Sequence, residues 1–215
     1  MTTLPQRIGA VLFDMDNTLV LSEYAWSAAT DDLWRDASAT RGVDILGGTT
    51  ADIIDAFTAA NPDADPAAVE RRFMDFLQVH LTEGVVPVPG APELLERLAS
   101  AVPLAIASNS PSAIISDMVT KMGWAGVFTA AVGTEDVARG KPAPDLYLAA
   151  ARACGVRPEK CVVVEDSPVG ATAGRAAGAF VLTVGAVGMG HGDLHVDSLI
   201  DPVILAWNPE PEQLT

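Results

Sequence analysis

The sequence predicts an α/β fold, a doubly wound parallel sheet with a small helical domain inserted after its first strand. Three observations predict it. Residues 10–13, 104–107, 161–164 and 181–184 are short, almost continuously apolar runs, the pattern of strands buried on both faces. Amphipathic stretches at 112–122, 145–154 and 169–177 follow the later strands, which is the βαβ alternation of a wound sheet. The interval from about Leu21 to Val86 carries helical periodicity but no strand.

In chain order, residues 10–13 form the first strand. The insertion then holds helical patterns at 23–36, 50–59 and 66–80. Residues 61–66 make a turn by composition, with Asn61 or Asp65 available as a cap. Trp26, Trp34 and Tyr24 read as the core of the first of these helices, with Tyr24 or Trp26 the side chains that would face a substrate. Gly84, Pro87, Pro89 and Gly90 return the chain through a stiff segment into a helix starting near Pro92. The expected organisation is a core of residues 1–20 and 86–215 with a helical cap at 21–85. A weaker strand is expected within 126–132. Gly170, Gly174 and Gly178 lie four apart, a spacing that suits close helix–sheet packing rather than a dinucleotide loop. The glycine-rich stretch around His191 reads as a flexible loop after the last strand.

Composition narrows the function. Hydrophobic residues make up 49% and charged residues 19%, too apolar for a disordered chain. Thirteen basic and 28 acidic side chains give a formal charge of −15, a field that repels nucleic acid and anionic membrane surfaces. An anionic substrate would need that field reversed locally, by a metal ion or a lysine. The two cysteines, Cys154 and Cys161, lack the spacing of a zinc or redox site. No stretch reaches the roughly 18 apolar residues of a membrane span, and a cytoplasmic protein, monomeric or weakly dimeric, is expected.

In a wound sheet, ligands bind beyond the carboxyl ends of the strands. There the sequence places Asp14 and Asp16 (DMD), Ser108 to Ser110 (SNS), and Glu165 and Asp166 (ED). Past a strand end the backbone can bend and give two carboxylates separated by one residue different tasks. The same pattern also serves as an ordinary loop or helix cap. Hydroxyls and backbone N–H groups before a helix suit a phosphoryl group. Lys141, between Gly140 and Pro142, is a cation on a stiff loop. Paired acids at the end of an apolar strand are costly without a cation, and Mg²⁺ is a hard ion that takes one or two carboxylates.

Taken in order, DMDNTL, SNS, GKPAPD and EDSPVGATAGRAAG resemble the haloacid dehalogenase superfamily. They are most similar to its β-phosphoglucomutase-like and CbbY-like phosphatases with a helical cap, over nearly the whole chain. The resemblance implies an Asp14 nucleophile that forms an aspartyl-phosphate and an Asp16 that acts as general acid and base. It further implies Mg²⁺ held by Asp14, the Asp16 backbone carbonyl and Asp166, with Glu165 supporting or joining that shell. Ser108, Asn109 and Lys141 would grip phosphoryl oxygens, and Thr18 would support the nucleophile loop. Asp16 argues against dehalogenation, because dehalogenases of the family lack this second acid.

Family mutases carry a histidine soon after the DxD loop and basic cap residues for a second phosphate. Residues 21–29 and 46–52 have neither histidine, lysine nor arginine, which favours hydrolysis of a small phosphorylated metabolite, a sugar phosphate by analogy, over a mutase. Gly47, Gly48, Thr49 and Thr50 would meet the neutral part of that substrate. A non-catalytic binding protein on the same fold would have lost one of the chemical groups, and all are present.

Overall fold

The computed structural model describes residues 2–37 and 49–212. The chain divides into two compact units, one of residues 1–20 and 87–215, the other of residues 21–86. The first unit is built on a six-stranded sheet. Its strands are β1 (Ala10–Phe13), β2 (Leu104–Ala107), β3 (Ala130–Val132), β4 (Cys161–Glu165), β5 (Phe180–Val184) and β6 (Leu194–Val196). The spatial order is β3-β2-β1-β4-β5-β6, and every neighbouring pair is parallel.

The order reverses direction between β1 and β4, so this pair flanks the topological switch point, where wound sheets bind ligands. β1 and β4 lie in register from Ala10 opposite Cys161 to Phe13 opposite Val164. Every residue of β1, β2 and β4 is buried, which explains their unbroken apolar runs. Each fully buried Leu or Val side chain there contributes about 1.5–3 kcal/mol.

Helices α4 (Ala91–Ala99), α5 (Ser112–Lys121), α6 (Asp145–Ala153) and α7 (Pro168–Ala176) accompany the sheet. α7 begins with Ser167, whose Oγ accepts from Gly170 N at 3.0 Å, and with Pro168 in its first turn, a standard start. A Cβ on Gly174 would lie 2.9 Å from Val181 Cγ2 and 3.1 Å from Val163 Cγ1. This glycine therefore lets the helix sit close to the sheet.

Strand β6 departs from the sequence reading. The glycine-rich stretch before it is a turn that delivers a sixth strand, with Thr183 opposite His195. A Cβ on Gly192 would meet the carbonyls of Val181 and Leu194 at 2.8 and 2.9 Å. These glycines serve close backbone approach, and three strand residues are too few to show a period. β3 is likewise shorter than the expected 126–132 segment.

The second unit consists of α1 (Glu23–Asp36), α2 (Thr50–Ala60) and α3 (Pro66–Gly84). Trp34 packs edge-on against Phe57 with centroids 5.0 Å apart, and Trp26 lies 5.8 Å from Phe73. Tyr24 is 78% exposed and does not join this core. α3 starts at Asp65, whose carboxylate accepts from Ala67 N at 3.3 Å. The segments in which the chain leaves and re-enters the first unit, Val20–Leu21 and Val86–Pro87, pair as a short ribbon. Among the described residues, no helix is long and apolar enough to cross a membrane.

Candidate active site

β1 stops at Phe13, and Asp14 extends its ladder by one bond, donating its N–H to Val164 O at 3.0 Å. The chain then folds back on itself. Asn17 adopts a left-handed φ of 59°, a conformation that asparagine tolerates better than most residues. Its N–H reaches Val20 O at 2.7 Å, and Leu19 N reaches Met15 O at 2.9 Å. This tight loop sends the two aspartates into different surroundings.

Asp14 is buried and accepts from Lys141 Nζ at 2.6 Å through Oδ1. Asp16 is half-buried, and its Oδ2 accepts from Ser110 Oγ at 2.7 Å and Ser108 Oγ at 3.3 Å. Burial pushes the Asp14 carboxyl well above the usual carboxylate range. Lys141 pulls it down, while Glu165, Asp166 and Asp16 push it up again.

Lys141 joins the ends of β1 and β4. Its Nζ donates to Asp14 and, at 2.6 Å, to Glu165 Oε1. Burial alone would lower the ammonium's pKa, but attraction to Asp14 and Glu165 outweighs it and raises it, so Lys141 stays charged. Asn109 fixes the lysine backbone by a double contact. Its Oδ1 accepts from Lys141 N at 2.8 Å, and its Nδ2 donates to Lys141 O at 3.3 Å.

Glu165 lies inside β4, not after it, and is fully buried. Its Oε1 accepts from Lys141 and from Tyr147 OH at 2.8 Å. Its Oε2 accepts from Asp166 N at 3.1 Å, Ser167 N at 3.1 Å and Ser167 Oγ at 3.0 Å. A Cβ on Gly170 would collide with this carboxylate, so the first of the spaced glycines in α7 makes room for Glu165. Asp166 is half-buried, and burial first, then repulsion from Glu165, raises its pKa to about 7.

One oxygen from each of Asp14, Glu165 and Asp166 lies within 4.8 Å of the others. The carboxylates of Asp14, Glu165 and Asp166 gather beside the Lys141 ammonium, and Asp16 is near enough to repel Asp14 and Asp166. Burial first, and then repulsion among these acids, raises the pKa values of Asp14 and Asp166, and an oxygen-liganded divalent cation is the chemistry that relieves both.

The other residues expected at the site take up contacts of their own or lie elsewhere. Glu165 belongs geometrically to the acidic cluster, and five donors surround its two oxygens, Lys141 among them. The Asn109 side chain holds the Lys141 backbone. Thr18 is fully buried within the tight loop after Asp14, and its hydroxyl has no hydrogen-bond partner. Thr49 caps α2, accepting from Asp52 N at 3.2 Å while its own N–H donates to Asp52 Oδ2 at 2.6 Å. Thr50 is buried, and Gly47 and Gly48 lie outside the described residues.

Tyr147 and Ser167 had no role in the sequence reading, and Gly170 appeared there only as a packing glycine. Ser110 was visible as the third residue of SNS. Tyr147 carried one signal, a single phenol within the otherwise aliphatic DLYLAAA.

A wound parallel sheet with an acidic cluster and a lysine at its switch point is an arrangement suited to phosphoryl transfer. The family of haloacid dehalogenase-like hydrolases matches residues 8–178, and the chain belongs to it. Hexitol phosphatase A of Escherichia coli K12 is 36% identical over 191 residues, covering 84% of this chain and 84% of that protein. Fructose-1-phosphate phosphatase YqaB of the same strain is 31% identical over 182 residues, covering 80% and 94%. The crystal structure of CbbY from Rhodobacter sphaeroides in complex with phosphate has the same fold, with a TM-score of 0.79 at 23% identity over 90% of this chain and 96% of that one.

Proposed function

We propose that this protein hydrolyses monophosphate esters of small polyhydroxylated metabolites, sugar or sugar-alcohol phosphates, by passing the phosphoryl group through Asp14. The observation that carries the reading is the Asp14–Lys141 contact of 2.6 Å inside the carboxylate cluster. A carboxylate held beside a fixed ammonium can approach an anionic phosphate, because the charge it meets is already partly neutralised. The named relatives act on hexitol and fructose phosphates, which supports the substrate class.

In the first half-reaction an Asp14 carboxylate oxygen attacks phosphorus, the ester P–O bond breaks, and Asp16 gives its proton to the departing alcohol. In the second, water attacks the same phosphorus, Asp16 takes a proton from it, and the Asp14–phosphorus bond breaks to release inorganic phosphate. Ser110 and Ser108 hold the Asp16 carboxylate for both tasks. Lys141 counters the charge on the transferring group. The oxygen donors Asp14 and Asp166, beside the Asp16 loop, fit Mg²⁺, which when bound would neutralise the phosphate and the cluster.

Free phosphate over isomer is the expected outcome. The segments at 21–29 and 46–52 carry no cation to hold the distal phosphate of a mutase intermediate. Incubation with a hexose 1-phosphate and catalytic bisphosphate should release inorganic phosphate, and accumulation of the 6-phosphate isomer would overturn the hydrolase reading.

A further inference from the structure

Tyr147 is the one buried polar side chain on α6 that reaches the site, and the catalytic cycle above gives it no task. It is fully buried, and its hydroxyl donates to Glu165 Oε1 at 2.8 Å. That same oxygen accepts from Lys141 at 2.6 Å. The Tyr147 ring lies against the ammonium, with Nζ 4.9 Å from its centroid, within the range of a cation–π contact. Lys141 thus rests on three groups: Asp14, Glu165 and the face of Tyr147.

We propose that Tyr147 is a positioning residue for phosphoryl transfer, holding the Lys141 ammonium in place while Asp14 changes its charge. The inference rests on Asp14 being the nucleophile. When Asp14 takes the phosphoryl group, its carboxylate becomes an acyl phosphate and loses its full negative charge, which weakens its hold on Lys141. An ammonium anchored only there would follow the charge. Glu165 supplies a second anchor, but its Oε1 is held towards Lys141 on one side only by Oε2 bonds to the strand end. The phenol fixes the other side, and its ring blocks the ammonium from swinging towards α6.

The test compares Y147F with wild type in the full chain, using an aryl phosphate with Mg²⁺. A hydrogen bond to a charged group is strong enough that its loss should lower kcat about tenfold, with KM within about twofold and the folded state intact by circular dichroism. On a K141R background, where the compact ammonium is already replaced, adding Y147F should lower kcat by less than about threefold. Wild-type kcat in Y147F, or an equal loss on both backgrounds, would overturn the proposal.

A second measurement is independent of turnover and of that variant's folding. The chain has two tyrosines, so fluorotyrosine labelling gives two ¹⁹F resonances, assigned with Y24F. The Tyr147 resonance should move when Mg²⁺ and orthovanadate are added, and an unmoved resonance would overturn the coupling. If wild type fails to turn over any phosphomonoester but the resonance still moves, the hydrolase reading fails and the Tyr147 linkage stands.

Discussion

The carboxyl ends of β1 and β4 are neighbours in one sheet, and each carries two acids, yet the two ends use them in opposite ways. At β1 the acids are separated by one residue, and the left-handed turn at Asn17 sends Asp14 to an ammonium and Asp16 to two hydroxyls. At β4 the acids are adjacent. Glu165 stays within the strand under five donors, and Asp166 lies half-buried in the same cluster. What distinguishes their roles is the donor set, not the carboxylate. A carboxylate surrounded by donors is suited to orienting its neighbours, whereas one held by a single cation keeps an oxygen open for the nucleophilic role proposed for Asp14.

This comparison can be broken by exchanging the acids for amides. D14N should reduce turnover of an aryl phosphate to the assay background while leaving the melting temperature near that of wild type. D16N should be milder in one half-reaction and severe in the other. General acid–base assistance is worth about 10²–10⁴-fold, but an aryl phosphate has a leaving group that needs little protonation. Stopped-flow kinetics should therefore show a burst of phenol release followed by slow turnover, and uniform slowing of both phases would contradict the assignment.

The β4 end is tested by G170A. The added methyl collides with the Glu165 carboxylate, and overpacking of this kind costs about 1–3 kcal/mol. In a chain of this length that is roughly 2–4 °C of melting temperature for each kcal/mol. Turnover should fall with it, because the displaced oxygen is the anchor of Lys141.

A smaller effect separates metal from protein. Asp166 has a native pKa of about 7, against an ordinary value of about 3.9. Between these values the native state holds a proton that the unfolded chain releases, so without metal the native state loses stability as pH rises through this window. The cost is complete above about pH 7. Bound Mg²⁺ offsets it. Melting temperatures in EDTA and in Mg²⁺ should therefore diverge as pH rises from 5 to 8, and a constant gap would argue against a metal at Asp166.

Much of this architecture was legible in the residues. The apolar runs at 10–13 and 104–107 coincide with β1 and β2, because burial on both faces leaves an unbroken hydrophobic signature. The helix at 23–36 matches α1. β6 was hidden because three residues after a glycine-rich turn carry no period. In the site, Asp14, Asp16, Lys141 and Asp166 were recognisable as chemistry-bearing types at strand ends and on a stiff loop, and the structure brings them together. The supporting shell was not legible. Whether Asn109 faces a phosphate or a lysine backbone, and whether Gly170 spares room for a methyl or for a carboxylate, depends on distances between segments far apart in the chain.

The most direct test of the central claim is rapid-quench mass spectrometry of the peptide carrying Asp14 during turnover of an aryl phosphate by D16N. Transfer through Asp14 predicts a phosphorylated peptide that accumulates with the burst and maps to Asp14. Phosphate release with no covalent adduct at any time, from an active and folded enzyme, would contradict it.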